Sequence, residues 1–221
     1  MIENVLHHRI IENKDWATTL FIFSFVLIAV TKSLFENRFN EFLRLIISDK
    51  YLKVYKDSGQ LMSLFTVFLF VVQLISFAFF IHLLLYSFGY ILKTDWLTYI
   101  QIVTFLSVYI LSKYLIEKII ATAFDIEEFA EQFNLQKVNY RTYIAVFLLP
   151  INCFLFYYDT ISRGVIFVFA AIVLFINLFT YLLSLKNYQS ILMGKLFYFI
   201  LYLCALEIAP YYFMYYWFTK N

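Results

Sequence analysis

Apolar residues in this chain come in long runs separated by short polar stretches. A helix needs about 20 mostly apolar residues to cross the hydrocarbon of a bilayer. Six stretches approach or exceed that length: 16–34, 61–88, 96–116, 142–158, 165–185 and 196–218. The fourth is the shortest, and Pro150 falls inside it. The pattern predicts an all-α polytopic membrane helix bundle. It has six transmembrane helices in a single membrane domain over residues 1–221, with amphipathic cytoplasmic helical segments.

Two of the intervening stretches have structure of their own. Phe35, Phe39, Phe42, Leu43 and Ile46 recur at helical spacing, with Arg38, Glu41 and Arg44 between them. Such a helix suits the headgroup boundary, or a cap on the end of a bundle. Farther on, Ile116, Ile119, Ile120, Ala123, Ile126, Ala130 and Phe133 form an apolar stripe. Asp125, Glu127, Glu128 and Glu131 cluster among them. This extends the third span as a helix beyond the membrane. Segments 35–57 and 117–135 are thus candidate surfaces for a membrane-protein partner.

Charge sets the expected orientation. With six spans, five Lys and Arg fall on one side and twelve on the other. The richer side is expected to be cytoplasmic, which puts both termini in the periplasm. Trp16, Trp96 and Trp217 then all lie at the outer interface as anchors, where an indole ring is buried and its N–H stays wet. Asp15 and Asp95 each precede one of these tryptophans and are expected to cap a helix N-terminus. Acidic residues ahead of the first span, and no small-residue cleavage site after it, argue that it is retained as a helix.

Composition narrows the chemistry. The chain is 63% hydrophobic and 14% charged, with a net charge of only +2. That excludes a water-soluble domain and leaves no footprint for nucleic acid. Its two cysteines, three histidines and four isolated glycines form no CxxC, HExxH or phosphate-cradling loop. No metal or cofactor is expected.

Polar residues inside the spans are the candidates for function. Glu207 lies eleven residues from each end of the sixth span. An ionised acid at that depth costs about 2.5–3.5 kcal/mol. Pro210, three residues on, frees the carbonyl of Leu206. Gln73, Asn152 and Asn177 sit near the middle of their spans, so a polar layer at the midplane is expected, either as interhelical glue or as an ion path. His82 lies in the outer third of the second span, either as a packing residue or as a titrating group.

Two motifs carry a family resemblance. Glu12-Asn13-Lys14-Asp15-Trp16-Ala17 opens the first span, and Leu206-Glu207-Ile208-Ala209-Pro210 forms an LEI-x-P motif in the sixth. The chain resembles a family of integral membrane proteins of Bacteroidetes that carries a domain of unknown function. The resemblance implies the inner membrane of a Gram-negative cell, and it brings no catalytic residues. The expectation is therefore a non-enzymatic inner-membrane protein, a subunit or scaffold of a cell-envelope assembly. The alternative is a small proton- or ion-coupled transporter using Glu207. An enzyme acting on lipid headgroups through His82, Asp95 or Asp159 is the remaining class.

Overall fold

A computed structural model describes residues 14–45, 63–123, 127–158 and 163–187. Among the described residues the chain is entirely α-helical. The helices are α1 (Asp15–Leu34), α2 (Glu36–Leu43), α3 (Leu64–Phe88), α4 (Trp96–Ala123), α5 (Glu127–Tyr157) and α6 (Arg163–Asn187). All but α2 are long and apolar enough to cross a membrane. The expected sixth span, 196–218, lies outside the described residues.

The long helices run alternately up and down. Trp16, Phe88, Trp96, Tyr157 and Arg163 therefore share one end, here the tryptophan end. The opposite end carries Leu34, α2, Leu64, Ala123 and Glu127. At the centre stands α3, which packs against α1, α4, α5 and α6. Its partner α5 is the other inner helix. Half or more of the spans in α3 and α5 is buried within the chain, against 11% in α4 and 6% in α6.

Each connection has a local cause. At the end of α3, Gly89 adopts φ 85°, a left-handed conformation that side chains disfavour. Its N–H and that of Tyr90 bond back to Tyr86 and Leu85, closing the helix. The chain turns at once into α4, capped as expected by Asp95. Thr98 donates its backbone N–H to Asp95 Oδ1 at 3.3 Å and its hydroxyl to Oδ2 at 2.6 Å. These bonds favour the ionised carboxylate and hold its pKa below the usual 3.8. Asp15 behaves differently. Lys14 occupies the cap of α1 with no side-chain capping bond, and Asp15 falls inside the first turn.

Two expected boundaries move. The fourth span is continuous with the polar segment before it, as the single 31-residue helix α5. Residues 130–141 were expected outside the membrane because they are polar. Most of them are buried against neighbouring helices, a packing that hydropathy does not register. The stripe expected from Ile116 to Phe133 is accordingly divided between two helices. Ile116 and Ile119 are exposed on α4, whereas Ala130 and Phe133 are buried on α5. Pro150 does not break the helix. It removes the N–H that would reach Val146. One residue earlier, the Ser76 hydroxyl on α3 donates to the Ala145 carbonyl at 2.8 Å.

The amphipathic reading of 35–45 resolves as a cap. Phe39, Phe42 and Leu45 are buried against Phe65, Leu69 and Tyr140. The apolar face of α2 closes its own bundle, and Arg38 lies 4.5 Å over the Phe65 ring. Residues 46–57 lie outside the described residues.

Because its folded pKa is depressed, the Asp95 cap stabilises α4 fully above the unfolded carboxylate value. That stability is lost as pH falls through the lower folded value. Asp95→Ala is expected to cost about 1 kcal/mol at neutral pH. The gap to the parent chain should narrow as pH drops below about 4, measured by thermal unfolding in micelles at each pH.

Candidate functional site

Buried polar side chains occur at three levels along the bundle. At the middle is a seam between α3 and α5. Thr142 Oγ1 donates to Gln73 Oε1 at 2.8 Å, and Asn152 Nδ2 donates to the Ser76 carbonyl at 2.8 Å. Asn139, Thr142, Ala145, Leu149 and Asn152 recur every three or four residues, so they line one drifting face of α5. Ala145 and Ala78 are fully buried, and their small side chains take little room in this interior. Interhelical bonds of this kind contribute roughly 0.6–2 kcal/mol each in a bilayer.

At the tryptophan end, rings fill the interior. Phe79 stacks on Phe21 at 4.2 Å and on Trp16 at 5.7 Å, and Phe156 meets both Trp16 and Phe79 edge-on at 5.8 Å. His82 is fully buried here, its Nε2 3.1 Å from the backbone carbonyl of Asp95. Tyr99 lies beside it. Lys93 donates to the Tyr158 carbonyl at 3.1 Å, a cation placed on the C-terminal end of α5.

At the opposite end lies a buried ion pair. Lys137 Nζ is 3.1 Å from Glu117 Oε1, with both side chains almost wholly enclosed. Glu117 lies 21 residues past Trp96, and Lys137 lies 20 before Tyr157. At ~1.5 Å per residue both sit about 30 Å from the tryptophan end. That is the thickness of the hydrocarbon layer, so the pair lies at its far boundary. Lys137 also sits 4.9 Å over the Phe133 ring. Around it α5 buries Gln132, Asn134, Gln136 and Asn139. Among the described residues, both amide atoms of Gln136, Asn134 Oδ1 and Asn139 Nδ2 have no hydrogen-bond partner.

The expected site residues separate. Gln73 and Asn152 join the same seam. His82 belongs to the aromatic end, about two and a half turns beyond Gln73 on the same helix. Asn177 is half-buried on α6 and bonds within its own helix, to the Val173 carbonyl at 2.8 Å. Glu207, Pro210 and Trp217 lie outside the described residues. Trp96 is exposed on the surface of α4. The Trp16 indole nitrogen is buried among rings, with no hydrogen-bond partner among the described residues.

Glu117, Lys137, Thr142 and Tyr99 were not singled out from the sequence. The first two carried a signal all the same. They are opposite charges at equal depth on helices that begin and end at the same interface. Within the candidate partner segment 117–135, Ala130, Gln132, Phe133, Asn134 and Leu135 are buried, whereas Ile119 and Glu127 are exposed.

The family model described as Domain of unknown function (DUF4271) matches residues 17–218. The chain belongs to that family. No curated protein and no solved structure matches it. The match spans every described helix except the first residues of α1, so all three polar levels fall within the DUF4271 domain.

Breaking the DUF4271 ion pair leaves a charge buried alone. Lys137→Met or Glu117→Leu should each cost about 3–5 kcal/mol, and the double variant should recover most of that loss. Urea or thermal unfolding of the four chains in one detergent measures the cycle.

Proposed function

We propose that this chain is a non-enzymatic integral membrane protein serving as a subunit or scaffold of a cell-envelope assembly. Its place in that reading is the inner membrane of a Gram-negative cell, with both ends periplasmic. The observation that carries the reading is the contrast between inner and outer helices. The α3–α5 pair is joined by hydrogen bonds, and rings pack together at the tryptophan end. By contrast, among the described residues α4 and α6 leave long apolar faces uncovered, including Phe105, Val108 and Leu111 on α4 and Leu174, Phe175 and Leu178 on α6. An inner pair joined by hydrogen bonds, with broad lateral faces on the outer helices, suits a protein that holds neighbours in the plane of the membrane.

The test places a photo-crosslinking residue at Phe175, which is exposed, and at Phe156, which is fully buried. Crosslinking in intact cells should join position 175 to one discrete membrane protein that also co-purifies in stoichiometric amount. Position 156 should give no such adduct. Lipid adducts alone at position 175 would exclude the scaffold reading.

A second reading, a small proton- or ion-coupled transporter using the acid Glu207, draws support from the unpartnered amides of Gln136 and Asn139 beside a buried ion pair. Buried polar groups of this kind mark ion and proton paths in other membrane bundles. Purified chain in proteoliposomes should then carry a proton or cation flux that Glu207→Gln abolishes. Flux untouched by that substitution removes the reading.

A further inference from the structure

Three side chains at the tryptophan end form a closed triangle. The ring centroids of Trp16 and Tyr99 are 5.1 Å apart, those of Trp16 and His82 6.0 Å, and those of His82 and Tyr99 6.1 Å. Each ring carries one polar atom that is buried and has no hydrogen-bond partner among the described residues: Trp16 Nε1, His82 Nδ1 and Tyr99 Oη. His82 is wholly buried and Tyr99 is 3% exposed. Phe79 and Phe156 wall the group with apolar rings.

The chemistry of the three atoms is complementary. The Asp95 carbonyl can only accept, so His82 Nε2 carries the proton that bonds to it. In the neutral ring Nδ1 is then a bare acceptor. The Trp16 N–H can only donate, and the Tyr99 hydroxyl can do either. A direct Tyr99–His82 bond would satisfy two of the atoms and leave the indole N–H alone. One added oxygen bearing a hydrogen satisfies all three. It accepts from Trp16 and Tyr99 and donates to His82. A carboxylate or phosphate would meet the Nδ1 lone pair, and an ammonium would meet the indole N–H. Folded proteins rarely leave three such buried groups unpaired.

We infer that Trp16, His82 and Tyr99 form a binding site for one neutral hydroxyl group, supplied by a water molecule or by the hydroxyl of a lipid headgroup. Two or more polar partners are what an enclosed water needs, and this site offers three. The proposal is independent of the scaffold reading, since it concerns what the bundle holds at one end and not what it holds beside it.

Magnetic resonance of the full chain with ¹⁵N-labelled tryptophan tests it. The three tryptophans give three indole N–H signals, and Trp16→Phe assigns one of them. In perdeuterated detergent without lipid, a cross-peak from the Trp16 indole proton to slowly exchanging water supports the site and identifies water. A cross-peak to glycerol protons, seen only in phospholipid nanodiscs, supports it and identifies lipid. Tyr99→Phe, which removes a single oxygen, should abolish either cross-peak while the other two indole signals stay in place. A Trp16 signal that shows contacts to ring and methyl protons alone, in detergent and nanodiscs alike, overturns the proposal. So does a cross-peak that survives Tyr99→Phe unchanged.

Discussion

In a bilayer the apolar faces of helices gain little by leaving lipid for each other, because lipid is as apolar as they are. Specific polar contacts and close packing then decide which helices meet. Here that role falls to the α3–α5 seam, where Thr142 bonds Gln73 and Asn152 bonds Ser76. The same Ser76 hydroxyl reaches the Ala145 carbonyl, close to where Pro150 weakens the α5 ladder. One small residue on α3 therefore links to α5 at two points, and the other helices arrange themselves around this pair.

The two ends of the bundle solve different problems. At the tryptophan end a layer of rings fills the space among α1, α3, α4 and α5, with geometry in the stacked and edge-on ranges that aromatic pairs favour. At the other end, charged and amide side chains go inward. Lys137 and Glu117 compensate each other there, and α2 folds over with Phe39 and Phe42 buried. An ion pair of this kind adds little net stability, yet it penalises any packing that separates its partners. It sets the depth of α4 against α5, as the seam sets the depth of α3 against α5.

How much of this was legible depends on the residue. The span boundaries at Trp16–Leu34 and Trp96 follow from runs of apolar residues, and the described helices begin and end within a few residues of them. The Asp95 cap was legible from one residue and its neighbour. Gln132 to Arg141 was not. Those residues read as a polar loop because a polar side chain facing a neighbouring helix looks, in sequence, the same as one facing water. Trp16 shows the same ambiguity, since an indole at a helix start can face headgroups or pack inward.

The sequence by itself determined the class of the molecule, its helical content, the placement of most long helices and the chemical types held within them, because each depends on local runs of residues. Only the tertiary structure decided which of those side chains meet. Whether Gln73 finds Thr142, or Lys137 finds Glu117, depends on how far each helix is rotated and slid relative to its neighbours. Rotation and depth are properties of helix pairs, and no single stretch of sequence carries them.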